Sequence, residues 1–219
     1  PLSFAEKFQP NLSIWLESPR IIANEINYDK KLQELYQKGY RHLICHNLAD
    51  IKIGKKIGFI LHGGFGLNCT NSMTVYFLKQ LGLQDITVSY ELRAKAFKNL
   101  TQVLPCGAYI YGRLPMMLLR ICPIKAQDGC RHKNCFLIDR TGRKFPILCH
   151  QDYQELINSE ILFLADKLQS FENLDYWDFY FTDENPEQIQ EILQDYNNNN
   201  FKQMPVNRTN GLYFKGGLF

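Results

Sequence analysis

Across its 219 residues the sequence lacks any apolar run of about 18 residues, the length a helix needs to cross a bilayer. It lacks a basic N-terminal stretch followed by an apolar core, so no secretory signal is expected. A strong excess of one charge is missing too: 25 Lys and Arg against 22 Asp and Glu leave a net +3. That balance permits a nucleic-acid partner without demanding one. Paired C-x2-C zinc motifs, the H-E-x-x-H protease signature, a P-loop and a complete G-x-G-x-x-G are all absent.

What is present describes a globular chain. Apolar residues make up 45% and charged residues 21%, enough for a sizeable core, which excludes wholesale disorder. Seven cysteines stand at 45, 69, 106, 122, 130, 135 and 149. An odd count without a secretory signal argues against a disulfide framework and points to a reducing, cytoplasmic compartment, where clustered cysteines bind metal. The first residue is Pro1, so the natural chain is expected to begin upstream.

Short β-rich runs alternate with helical stretches. Strands are expected at Arg20–Asn24, His42–His46, Phe59–His62, Asp85–Ser89 and Ala108–Tyr111, and helices at Asp29–Gly39, Ile51–Gly58, Ser72–Gly82 and Glu91–Leu100. The repeat has the size of a βα unit. A complete eight-stranded barrel takes about 250 residues. The pattern stops near residue 111, which predicts the later half of a TIM-like barrel over 1–111, its first half missing or supplied separately. A small open parallel sheet is the rival. Residues 112–150, rich in Cys, Arg, Lys and Gly, read as an irregular, metal-organised segment. Residues 151–219 read as a small α+β extension. Within it lie a helix or strand plus helix over 153–169, a strand Trp177–Thr182 and a last helix Pro186–Tyr196 capped by Asp183 or Asn185. The aromatic tail Gly211–Phe219 is expected to pack back onto the body.

Three groups of residues could carry chemistry. Cys122, Cys130, Cys135 and Cys149 give C-x7-C-x4-C-x13-C, four soft thiolates within 28 residues, suited to tetrahedral zinc or an iron–sulfur cluster. Spacing alone does not choose the metal, and His132 or His150 could replace one cysteine. The second group is His62-Gly-Gly-Phe-Gly66 with Asn68 and Asn71, between a strand and a helix. Glycines there let backbone approach a ligand, and the helix N-terminus offers N–H groups; a tight turn capped by Asn71 or Ser72 is the structural alternative. The third is the row of polar residues after other strands: His46, Glu91, Tyr111 and Arg113. In parallel order these would meet at one mouth, with His62, Glu91 and Arg113 as catalytic candidates and His46, Asn68, Asn71 and Tyr111 as substrate-binding candidates. A local basic excess from Arg113 to Lys144 could meet a phosphate backbone, or balance thiolates and solvate a loop.

At these residues the chain resembles peptidase family U32. The likeness is carried by Tyr111–Met117, Arg120-Ile-Cys-Pro123, Gly129-Cys130, Cys135, Asp139–Gly142 and Lys144-Phe-Pro146. Upstream, His46-Asn-Leu48, His62–Asn68, Asn71-Ser72 and Val88–Leu92 fit in order. Leu156–Ser159, Leu164–Asp166 and Gly211–Tyr213 extend the match over roughly 18–216. The resemblance implies a TIM-like barrel, of which this chain matches the later half and the following segment. Relatives of this kind take part in oxygen-independent hydroxylation of a tRNA or rRNA base or of a ubiquinone precursor. Several carry a [4Fe–4S] cluster on four cysteines, and the RNA-modifying ones depend on prephenate. By position Cys122, Cys130 and Cys135 are the implied ligands, with Cys149 the fourth. The expected partners are RNA and either an N-terminal barrel half or a second copy of the chain, with no membrane. A metal-dependent peptidase, as the family name says, and a non-catalytic metal-stabilised interaction domain are the alternatives.

Overall fold

The computed structural model describes residues 2–10, 14–22, 25–125, 135–150, 152–198, 201 and 205–215. The chain divides into two compact units. One comprises Pro1–Ala108, Gln169–Trp177 and Leu212–Phe219, the other Tyr109–Leu168 and Asp178–Gly211. No helix among the described residues is long and apolar enough to cross a membrane.

The first unit is α/β. Its strands β1 (Leu16–Glu17), β2 (His42–Cys45), β3 (Ile60–Gly63) and β4 (Leu83–Thr87) lie side by side in sequence order. The first three residues of β5 (Cys106–Gly112) follow, and every neighbouring pair is parallel. Helices α1 (Glu25–Gln37), α2 (Leu48–Ile57), α3 (Ser72–Leu81) and α4 (Phe97–Thr101) make the connections. The sheet is open: among the described residues the strands do not close into a barrel.

Local sequence explains the helix ends. Asn47 caps α2, its side chain accepting from Asp50 N, while the Asp50 side chain accepts from the cap backbone; Gly58 ends the helix in the left-handed region. Asn71 caps α3 and Gly82 ends it in the same way. Gly54 lets α2 lie against the sheet: a Cβ there would stand 2.7 Å from Leu61 Cδ2 and 2.8 Å from Leu43 Cδ2. Leu43 and Leu61 therefore face the helices. Alternation sends His42, Ile44, Ile60 and His62 to the opposite face.

A bulge in β4 matters for that opposite face. Leu83 pairs with Leu61, and Ile86 pairs with Gly63, so three steps on β4 match two on β3. Leu83 and Ile86 consequently share the helix side, where both would crowd a Cβ on Gly63 at 2.8 Å. The extra residue turns Asp85 to the other face, beside His62.

The buried carboxylate of Asp50 ties the entry of this unit together. It accepts from Ser18 Oγ (2.5 Å), Tyr28 OH (3.0 Å), His46 N (2.8 Å) and Asn47 N (3.1 Å). The tail packs back as expected as far as it is described: Tyr213 is buried against Phe97 and Phe171. Residues 216–219 lie outside the described residues.

The second unit holds an antiparallel sheet in the order β6 (Pro115–Leu119), β9 (Gln154–Ile157), β8 (Lys144–Cys149), β7 (Phe136–Ile138). The last residues of β5 pair with β10 (Ile161–Phe163), which pairs in turn with β12 (Arg208–Thr209). β11 (Tyr176–Tyr180) enters this unit at Asp178, and α5 (Pro186–Asn198) completes it. Asn185 caps α5 reciprocally with Gln188. Tyr196 of α5 is buried, its hydroxyl donating to Ile110 O and accepting from Leu164 N.

Four expectations are corrected. Residues 20 and 21 form a bend and residue 22 is irregular, and the edge strand is Leu16–Glu17; residues 23 and 24 lie outside the described residues. The Glu91–Leu100 helix starts late, as a 3-10 turn at Ala94–Ala96 before α4, because Glu91 and Leu92 turn off the strand. The described residues of 112–150 include the strands β6, β7 and β8, because the short apolar runs of β6 and β8 pair with β9, outside the segment, and β7 pairs with β8; residues 126–134 lie outside the described residues. Residues 153–169 form strands β9 and β10 before a 3-10 segment at Ala165–Phe171.

Candidate functional site

In the first unit the glycine-rich turn after β3 is built around His46. The buried His46 ring donates from Nε2 to Glu17 Oε1 (3.0 Å) and accepts at Nδ1 from Gly66 N (3.2 Å). A Cβ on Gly64 would collide with His46 Cε1, and one on Gly66 would meet His46 Cβ, Nδ1 and O, each at 2.8 Å. These glycines thus make room for an imidazole of the chain itself. Asn68 ends the following 3-10 turn with φ 47° and is exposed. Asn71 Oδ1 is occupied as a cap, accepting from Thr74 N (2.9 Å) and Thr74 Oγ1 (3.1 Å). Glu91 is exposed in the turn after β4, its N–H donating to Ser89 Oγ (3.3 Å).

His62 belongs to a different constellation, on the sheet face opposite the helices. Its Nδ1 lies 2.7 Å from Asp85 Oδ2, and its Nε2 lies 2.9 Å from His42 Nδ1. Tyr176 OH donates to the other oxygen of Asp85 at 3.4 Å. The Trp15 indole stacks on His62 with centroids 3.8 Å apart and on His42 at 5.0 Å. Burial lowers the basicity of His42; neighbouring His62 lowers it further, and Asp85 opposes both. His42, Asp85, Trp15 and Tyr176 were not legible as site residues. Alternation could have paired His42 with His62, but Asp85 reaches them only through the bulge.

In the second unit Tyr111 and Arg113 hold structure. Tyr111 is buried and donates to Glu184 Oε1 at 2.9 Å. Burial, and then Glu184, push its phenol above the ordinary range. Arg113 Nη1 donates to the carbonyls of Ser159 (2.5 Å) and Asn158 (3.4 Å), and its Nε stands 3.7 Å from Asp183. It clamps the turn between β9 and β10.

The cysteines follow the sheet. β6 and β8 run the same way, each antiparallel to β9, and β7 runs opposite to β8. Cys122, three residues past the end of β6, Cys149, at the end of β8, and Cys135, just before β7, therefore sit at one end of the four-stranded sheet. Cys135 O accepts from Ile147 N at 2.8 Å, which places Cys149 one diagonal step away across the β7–β8 pair. Cys130 and His132 lie outside the described residues. His150 stacks on Tyr153, with Nε2 3.5 Å from the buried Glu155. Among the described residues no three His, Cys, Asp or Glu side chains are already gathered as a metal site. The donor chemistry and the shared sheet end fit a soft metal or cluster held by thiolates.

The description "Peptidase family U32" matches residues 22–191, a span containing both constellations except Trp15 and Glu17. The chain belongs to peptidase family U32. Neither curated proteins nor solved structures give a match. The U32 membership makes an enzyme the working class, and the matched span takes in all seven cysteines.

Proposed function

We propose that this U32 protein binds a [4Fe–4S] cluster through Cys122, Cys130, Cys135 and Cys149 and takes part in oxygen-independent hydroxylation of a tRNA or rRNA base in the cytoplasm. The observation that carries this reading is topological: three of the four cysteines lie at one end of the β6-β9-β8-β7 sheet, and the fourth lies in the connection between Cys122 and Cys135. When bound, the cluster supplies electrons or activates an oxygen donor, with prephenate as the proposed cosubstrate. The β7–β8 hairpin favours an RNA partner. Asp139 accepts from Thr141 N (2.8 Å), Thr141 Oγ1 (2.7 Å) and Arg143 N (3.0 Å), so the turn is held with Arg140, Arg143 and Lys144 exposed on the hairpin, Arg143 Nη1 3.4 Å from Glu160 and Lys144 over the Phe136 ring. Cations fixed on a short hairpin suit phosphate contacts.

The five parallel strands in sequence order, with helices on one face, fit the later half of a βα barrel, to be completed by an N-terminal half or by a second copy. Mass spectrometry of total tRNA and rRNA from a Cys122→Ala strain tests the reading. Loss of one hydroxylated base is expected; an unchanged modification profile would contradict it. Gelatin cleavage that survives removal of the metal would favour the peptidase alternative.

A further inference from the structure

The chain Asp85–His62–His42 has a direction that the acceptor chemistry sets. A carboxylate can only accept, so the hydrogen on the 2.7 Å contact belongs to His62 Nδ1. A neutral His62 then presents a lone pair at Nε2, and the 2.9 Å contact requires His42 to donate from Nδ1. That leaves the lone pair of His42 at Nε2, and Nε2 makes no hydrogen bond among the described residues. Two imidazoles are thus aligned in series behind one carboxylate, whose second oxygen is held by Tyr176. The indole of Trp15, stacked on both rings, restricts their rotation.

The surroundings of His42 are open and apolar. Across the β2–β3 pair its partner is Ile60, 43% exposed, and Trp15 is 42% exposed. The exposed part of the Trp15 indole and the exposed Ile60 side chain, beside a polarised imidazole, offer a wall for a flat ring.

We propose that this sheet face is a proton-transfer site, with His42 Nε2 accepting the proton of an N–H or O–H carried by a planar, weakly acidic ring laid against Trp15 and Ile60. The X–H bond breaks and its electron pair stays on X. An N–H bond forms at His42 Nε2, and the Nδ1 proton of His42 passes to His62 Nε2. The positive charge comes to rest on His62, beside Asp85. His62 and Asp85 are positioning residues. The site goes beyond the hydroxylation reading and does not need the cluster.

Diethyl pyrocarbonate tests it on the whole chain without any cofactor. The Nε2 lone pair attacks one carbonyl, ethyl carbonate leaves and decays to carbon dioxide and ethanol, and the Nδ1 proton is taken up by His62. Peptide mapping is expected to show His42 acylated several-fold faster than N-acetylhistidine treated in parallel. Asp85→Asn should bring the rate down to that of the free imidazole with the circular dichroism unchanged, and Asp85→Glu should restore part of it. A His42 no faster than N-acetylhistidine, or indifferent to Asp85→Asn, overturns the proposal. If Asp85→Asn fails to fold, nitrogen-15 histidine NMR of the unaltered protein still decides. His42 protonated at Nδ1 is the expected tautomer, and His42 protonated at Nε2 contradicts the relay. Either result leaves the RNA modification assay untouched, so the two readings fail separately.

Discussion

Gly64 has no Cβ because the His46 imidazole stands where one would go. The same histidine takes a hydrogen bond from Gly66 N, so the glycine-rich turn after β3 and the end of the neighbouring strand β2 are built as one packed object.

Alanine at Gly64 should therefore unseat His46 and cost about 1–3 kcal/mol, the usual range for overpacking a close site. Chemical denaturation of Gly64→Ala measures it. Adding His46→Ala should recover part of the loss, since the clash disappears with the ring. A Gly64→Ala protein as stable as the parent would show that the turn opens elsewhere.

Arg113 gives the second prediction. Its guanidinium holds two carbonyls of the β9–β10 turn, a geometry that the lysine point charge does not reproduce. Arg113→Lys should lower stability by about 1 kcal/mol, near the net value of one such hydrogen bond. Had Arg113 been a substrate ligand, the same change would weaken activity and leave the melting temperature alone. Thermal unfolding beside the RNA modification assay separates the two.

The buried thiols supply a pH prediction. Burial pushes Cys69 up to about 11; burial, with Cys69 and Asp175 close by, pushes Cys106 up to about 12. Cys45 is raised as well, by burial and then by Asp50. Unfolded thiols ionise near about 8.5. The folded state thus keeps protons that the unfolded state loses, and this contribution, intact below about pH 8.5, falls away as pH rises toward 11 and 12. Stability should decline over that window. At pH 8 iodoacetamide should label Cys122 and Cys149 of the metal-free protein, and reach Cys45, Cys69 and Cys106 only after unfolding. Labelling of folded Cys106 as fast as Cys149 would contradict this.

The alternating elements were legible because their signals are local. Asn47 and Gly58 bracket α2, Asn71 and Gly82 bracket α3, and the strands between them are short apolar runs. The four-stranded sheet was not, since β6, β8 and β9 find one another across the cysteine segment through contacts with no sequence period. The histidine relay hid for a sharper reason. Asp85 lies two residues from Leu83 on a strand, and simple alternation would put both on the helix side; one bulge, invisible in the residue pattern, reverses it. The cysteines were legible as donors by type alone, and their common sheet end required the strand order.

Anaerobic purification followed by an absorbance spectrum with iron, sulfide and zinc analysis tests the thiolate-held cluster most directly. A brown protein with about four irons per chain, lost in Cys122→Ala and in Cys149→Ala, is the predicted result. A colourless protein carrying about one zinc, unaffected by those substitutions, would contradict it.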